Sequence, residues 1–382
     1  MPVAGAPLLC VVGARPNLMK IAAVIRAMRG ASPPMSVRLL HTGQHYDTEM
    51  NEQFFRALGI PDPDINLEVG SASHAVQTAE IMRRFEPVLE QERPAAVLVV
   101  GDVNSTLACA LVAVKKGIAV IHVEAGLRSI DRTMPEEINR VLTDQISDLL
   151  FITERSARAN LLREGVAESR IHFVGNVMID TLRHRLKDAI PAAQTLSQYG
   201  APADWAQKDY AVLTLHRPSN VDDPALLRSL LGAIRDVSCR LPVVFPMHPR
   251  TRAKIEQHGL GPMLDTRTLL KLPPLGYLEM LGLMQAARLV MTDSGGIQEE
   301  TTALGIPCIT LRENTERPIT VEQGTNTVVG SSPAHILAAV DDILRSGGKS
   351  GRIPELWDGR ASQRIVAVLR EWLERASERL VA

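Results

Sequence analysis

Acidic, basic and histidine residues recur in this sequence directly after short apolar runs, in segments rich in glycine and proline. The run ending at Thr292 leads into Asp293-Ser294-Gly295-Gly296, and a helical pattern over 297–304 follows until Gly305 and Pro307 stop it. A strand, a glycine-permitted turn and a helix start bring free backbone N–H groups to the positive end of a helix dipole, which suits a phosphate. The Ser294 hydroxyl adds a donor or caps the helix, and Glu300, nearly two turns on, can accept hydrogen bonds from a ribose diol. The segment also reads as an ordinary serine-capped turn, so it does not decide a function by itself. Near the start, Gly13-Ala14-Arg15-Pro16-Asn17 turns from a strand into a helix with proline in its first turn. Arg15 in the turn and Lys20 in the helix would meet phosphate charge, the first as a fork and the second as a point charge.

Acids close other runs. Asp102 follows the run 97–100, Glu124 follows 120–123, and Glu136 stands at a helix start in Met134-Pro135-Glu136-Glu137. Glu124 lies among Ile121, Val123 and Ala125, where an unpaired carboxylate is costly, and Arg128 is its expected partner. Singly, each acid serves equally well as a cap or a structural ion pair. Three of them at strand and helix ends permit general acid and general base work on opposite faces of a substrate. His216-Arg217 and His248-Pro249-Arg250 follow two later runs, and Arg312 to Arg317 follow a third, adding cations. Two histidine turns at equivalent strand ends point to function. Zinc is the rival reading, but neither C-x-x-C nor H-E-x-x-H accompanies them, so no metal is expected.

The elements that must position these groups are short buried strands alternating with amphipathic helices. Strands are expected at 8–13, 37–43, 96–102, 120–125, 149–153 and 172–175, then at 210–215, 243–247, 269–272, 287–292, 307–311 and 327–329. Helices are expected at 19–29, 75–90, 106–116, 136–147 and 154–164. Uninterrupted apolar strands between helices indicate parallel sheets covered on both faces. The alternation pauses over 182–209, which divides the chain into two α/β halves, 1–178 and 179–361. An amphipathic helix over 362–380 follows the second half and is expected to pack back on the first. Ligands of such sheets bind beyond the carboxyl ends of the strands, so a cleft between the halves is the expected site.

Composition narrows the classes. The 382 residues carry 42 Lys and Arg against 43 Asp and Glu, a net charge of −1, so no basic excess points to nucleic acid or an anionic membrane surface. The four cysteines form no C-x-x-C pair, and three lie in apolar runs as expected core thiols. No apolar stretch is long enough for a transmembrane helix, and the N-terminal run lacks a basic leader, so a cytoplasmic location is expected.

Taken together, the segments Gly13-Ala14-Arg15-Pro16, Thr42-Gly43-Gln44-His45, Gly101-Asp102, His122 to Arg128, Pro135-Glu136-Glu137-Ile138-Asn139-Arg140, Gly175-Asn176, His216-Arg217, Asp293 to Glu300 and Thr315-Glu316-Arg317-Pro318 resemble the non-hydrolysing UDP-N-acetylglucosamine 2-epimerases. The resemblance runs over nearly the whole chain. It implies two Rossmann-like doubly wound domains facing a cleft, of the glycosyltransferase-B type, a UDP-sugar substrate, usually a homodimer, and neither a metal nor a bound redox cofactor. It also implies inversion at C2 through elimination of UDP to a 2-acetamidoglucal and its re-addition. By similarity Asp102, Glu124, Glu136 and His216 are the acid/base candidates. Arg15, Lys20, Arg140, His248, Ser294, Gly295, Gly296, Glu300 and Arg317 are the substrate-binding positions. An epimerase of a modified UDP-sugar, such as a diacetamido uronic acid, and a glycosyltransferase-B type transferase are the alternatives. Three departures stand out: Ala14 and Asn17 where the family's common turn reads Gly-Thr-Arg-Pro-Glu, Pro218 and Ser219 after His216-Arg217, and Tyr46 where substrate-activated members read Gln-His-Arg. The last implies weak or absent activation by the substrate.

Overall fold

A computed structural model describes residues 6–44, 55, 57–207 and 209–381; His45 and Tyr46 lie outside them, as does the side chain of Arg15. The chain divides into two compact units, residues 1–184 with 355–382, and residues 185–354.

The first unit holds a seven-stranded parallel sheet: β1 (Leu8–Val12), β2 (Val37–His41), β3 (Ile65–Asn66), β4 (Ala96–Val100), β5 (Ala119–Ala125), β6 (Leu149–Ile152) and β7 (Ile171–Phe173). Their order across the sheet is β3-β2-β1-β4-β5-β6-β7. All five residues of β1 and of β4 are buried, because helices cover both faces of these central strands. The order reverses between β1 and β4, and at such a switch point the loops at the strand ends diverge and leave a crevice.

The second unit repeats the plan with β8 (Ala211–Thr214), β9 (Val243–Pro246), β10 (Leu269–Leu272), β11 (Leu289–Thr292), β12 (Cys308–Thr310) and β13 (Asn326–Val328). Its order, β10-β9-β8-β11-β12-β13, puts the switch point between β8 and β11. One core there joins Leu213, Leu231, Ile234, Phe245, Met291 and Ile309 with the helices that flank the sheet.

Every expected strand is present, its ends within two residues of those expected; β3, two residues long, was not foreseen. The expected seam after residue 178 falls inside the helix Val177–Arg185, almost all of which stays with the first unit, so the division comes after His184. The return to the first unit begins at Glu355, ahead of the last helix, Ala361–Val381. Asp180 fastens that helix: its carboxylate accepts from the N–H groups of Ala361 (3.1 Å) and Ser362 (2.7 Å) and from the Ser362 hydroxyl (2.6 Å). The Trp357 indole donates to Thr153 O, the helix packs on the helix Arg15–Arg29, and its Ile365 and Leu369 are buried. Cys10, Cys109 and Cys308 are buried and Cys239 is exposed. Among the described residues no helix is long and apolar enough to cross a membrane.

Candidate active site

In the first unit the chemistry gathers where β1, β4 and β5 end. Asn17 ties the first two together. Its side-chain oxygen accepts from the N–H groups of Gly13 (3.2 Å) and Ala14 (3.1 Å), and its amide donates to Val100 O (2.8 Å). Glu124 sits at an irregularity of β5, where the register against β6 shifts between Val123 and Ala125. Its backbone is left-handed, with φ of 72°, a conformation that a side-chain-bearing residue adopts at a cost and that turns up where function demands it. Beside it Gly101 has φ of 67°, and a Cβ there would lie 2.8 Å from Lys20 Nζ, so only glycine lets the β4 turn pass so close.

Glu124 pairs with Lys20, both side chains being 5% exposed. This corrects one expectation. Arg128 is not the partner of Glu124, because its guanidinium is engaged by Asp144 (2.8 Å) and Glu164 (2.6 Å). Lys20 neutralises a carboxylate that burial would otherwise penalise.

Asp102 pairs with Arg140, whose second nitrogen bonds Glu137 at 2.8 Å. Glu137 is a structural hub: it accepts from the N–H and hydroxyl of Ser129 (both 3.0 Å) and from the N–H of Ile130 (3.0 Å). Its neighbour Glu136, in the first turn of the helix Pro135–Ile146, is partly buried, and among the described residues it makes no hydrogen bond or ion pair. Two adjacent glutamates thus divide the work, one holding the loop and one left open. Asn139, on the same helix, donates to Asp102 O at 2.9 Å.

Beneath these turns lies a histidine that sequence reading quoted in a motif but gave no role. His122 is fully buried, with Nε2 2.8 Å from Gly101 O and Nδ1 2.7 Å from Asp144 Oδ1. A carbonyl oxygen only accepts, so Nε2 carries a proton. Asp144 also accepts from the Gly126 N–H (3.0 Å) and from Arg128. The ring thereby braces the Gly101 and Gly126 turns on either side of Glu124.

In the second unit His216 follows β8, the exposed His248 follows β9, the Ser294-Gly295-Gly296 turn follows β11, and Arg317 follows β12. The rings of His216 and His248 pack with centroids 5.5 Å apart. Ser294 is the N-cap of the helix Gly295–Leu304, and a Cβ on Gly295 would lie 2.7 Å from Glu316 Oε1. Arg317 lies 3.0 Å from the buried Glu299, while Arg312 (2.7 Å) and Arg217 (3.1 Å) hold Glu316. Burial works against ionising Glu316, but Arg317, Arg312 and Arg217 outweigh it and pull its carboxyl down to about 2. Glu300 behaves oppositely. Burial pushes it up to about 7, with the Tyr277 hydroxyl, 3.0 Å away, easing the shift and Glu299 adding to it. Tyr277 and the buried Asp293 were not foreseen as members of the site; Asp293 was read only as part of a turn.

With that geometry in hand, the comparisons are specific. The sequence profile of the family described as UDP-N-acetylglucosamine 2-epimerase matches residues 28–370. The chain belongs to that family. The UDP-N-acetylglucosamine 2-epimerase of Methanococcus maripaludis is 43% identical over 355 residues, 90% of this chain and 95% of the relative. The UDP-2,3-diacetamido-2,3-dideoxy-D-glucuronate 2-epimerase of Pseudomonas aeruginosa is 41% identical, over 95% of this chain and 99% of that one. The crystal structure of the Methanocaldococcus jannaschii UDP-GlcNAc 2-epimerase in complex with UDP-GlcNAc and UDP superposes with a TM-score of 0.86 at 41% identity, covering 96% of this chain and 99% of that chain. The fold is therefore the two-domain glycosyltransferase-B type that the resemblance implied, and the class is isomerase. The first unit thus holds one carboxylate against a lysine, one against an arginine and one without a partner among the described residues, and the second unit holds a histidine beside an aspartate.

Proposed function

We propose that the chain inverts C2 of a UDP-linked 2-acetamido sugar, interconverting UDP-N-acetylglucosamine and UDP-N-acetylmannosamine without hydrolysis. The C2 hydrogen of such a sugar is not acidic, which favours elimination over direct deprotonation. A base removes the C2 proton as the C1–O bond breaks, its electron pair leaving on UDP, and a 2-acetamidoglucal forms. Re-addition of the UDP oxygen at C1, with a proton delivered to the other face of C2, gives the epimer.

The observation that carries this reading is the trio of carboxylates in three different charge environments: Glu124 against Lys20, Asp102 against Arg140, and Glu136 without a partner among the described residues. Acid and base roles on opposite faces call for such inequality. Glu136 suits the proton acceptor, Asp102 and Glu124 the delivery and orientation of the sugar, with Arg140 beside them. His248, the Ser294-Gly295-Gly296 turn, Arg15 and Arg317 suit the diphosphate and Glu300 the ribose, while His216 suits acid/base work. A homodimer and a cytoplasmic location accompany this reading.

A second reading is an epimerase of a diacetamido uronic acid, favoured by the Pseudomonas aeruginosa relative at 41% identity. Incubation with UDP-N-acetylglucosamine in deuterated water separates the possibilities. Deuterium at C2 of UDP-linked products is the expected result. No exchange with this sugar, but exchange with the diacetamido uronate, moves the assignment to the second reading. Free N-acetylmannosamine, or transfer to an acceptor without C2 exchange, overturns both.

A further inference from the structure

Asp293 stands between β11 and the Ser294-Gly295-Gly296 turn and is fully buried. Its Oδ2 accepts from the N–H groups of His216 (2.9 Å) and Arg217 (2.9 Å) and from Asn220 Nδ2 (3.2 Å). Its Oδ1 lies 2.8 Å from His216 Nδ1. Asn220 is itself held, since it also donates to Leu311 O at 2.9 Å. Burial opposes ionisation of Asp293, yet the hydrogen bond from the His216 side chain and the two backbone N–H groups hold its carboxyl below the ordinary range.

We propose that Asp293 is the positioning residue for His216, fixing its ring as the Nδ1–H tautomer so that Nε2 alone exchanges a proton or hydrogen bond with the substrate. This rests on the epimerase reading given above. An acceptor-only carboxylate at Nδ1 dictates where the ring proton sits, as the orienting group of a histidine base must. Two further contacts keep the ring from turning over. The His248 ring packs against it at 5.5 Å, and the backbone N–H of His216 is bound to the same carboxylate as its side chain. The carboxylate also belongs to the strand end that begins the Ser294-Gly295-Gly296 turn. One residue therefore sets the position of His216 relative to the helix N-terminus offered to phosphate.

The D293N variant reverses the geometry at small steric cost. Three donors converge on the Oδ2 side, so the amide oxygen stays there and the NH2 group faces Nδ1. The ring must then move its proton to Nε2. In protein labelled with 15N-histidine, long-range proton–nitrogen correlation reads this directly, with H216Q identifying the His216 signals. The expected result is an Nδ1–H tautomer in the wild type and an Nε2–H tautomer in D293N. In the variant kcat should fall about 100-fold or more, the range for loss of a positioned acid/base group. The dissociation constant for UDP should change by less than about threefold, because ground-state binding is not what the substitution removes. An Nε2–H tautomer in the wild type overturns the proposal even if D293N fails to fold, and so does a folded D293N with normal kcat. A wild type inactive on UDP-sugars but showing the Nδ1–H tautomer would instead sink the epimerase reading and leave the positioning of His216 standing.

Discussion

Lys20 and Glu124 form an ion pair buried at the end of β5, where Glu124 takes a left-handed backbone and the strand slips by one residue against β6. Removing one member leaves the other charged in a site that excludes water, which costs about 3–5 kcal/mol. K20M should therefore lose stability of that order in urea denaturation, while K20M combined with E124L should recover much of it. Additive losses in the double variant would show that the two charges do not depend on each other.

D102N keeps size and most hydrogen-bonding capacity and leaves Arg140 its bond to Glu137, so it should fold with a near-normal midpoint, whereas E124Q leaves Lys20 charged and buried and should lose stability as K20M does. Each should lose activity by about 100-fold or more if its carboxylate handles a proton. E137Q should behave differently. It loosens the Ser129–Ile130 loop and the Arg140 clamp, lowering stability by about 1–3 kcal/mol before it touches chemistry. Near-normal turnover in both E124Q and D102N removes them from the reaction.

His122 makes a separate prediction. H122Q can reach Gly101 O or Asp144 Oδ1 but not both, so one buried hydrogen bond is lost. Stability should fall by about 1–3 kcal/mol. Urea midpoints measure it; a change within error would mean that the ring does not brace these two turns.

The strands were legible because burial on both faces makes an uninterrupted apolar run, the strongest signal a sequence can carry. β3 was not, because Ile65 and Asn66 are too few to show any period. The site was legible as residue types at strand ends and illegible as pairings. Arg128 looked like the partner of Glu124 because it is near in sequence. The partner is Lys20, brought in by the helix that follows β1, while Arg128 turns to Asp144 and Glu164. Glu136 and Glu137 could not be told apart by type or by spacing, since both lie one turn from Arg140; it is the fold that gives Glu137 to Arg140 and to the Ser129–Ile130 loop. Asp293 and His122 went unassigned because each acts through a neighbour.

Glu300 gives the protein a pH dependence of definite sign. Its carboxyl is raised by burial to about 7, against 4.5 for the unperturbed group. The folded state therefore binds the extra proton across that window, and stability present below about pH 4.5 is lost as pH rises to about 7, by roughly 3 kcal/mol. E300Q should flatten this part of the stability curve of the UDP-free protein. Where ribose hydroxyls donate to Glu300, the ionised form binds better, so UDP affinity should rise between about pH 6 and 8 in the wild type and stay level in E300Q. Parallel wild-type and variant profiles would assign the dependence to another group.

Activation by the substrate should be weak or absent. Substrate-activated members read Gln-His-Arg where this chain has Gln44-His45-Tyr46, the last two outside the described residues. Gln44 itself is buried and tied inward. Its side-chain oxygen accepts from the N–H (3.1 Å) and hydroxyl (2.7 Å) of Ser105, and its carbonyl accepts from Gln77 (3.1 Å). Ser105 in turn bonds Thr42 at 2.7 Å, and Gln77 takes a bond from Asn104 at 2.8 Å, so freeing Gln44 for a second ligand would break a buried polar network. UDP-N-acetylmannosamine offered alone should therefore turn over from the first seconds at a constant rate. A long lag abolished by a trace of UDP-N-acetylglucosamine would mean that the network opens and that the missing arginine is not required for activation.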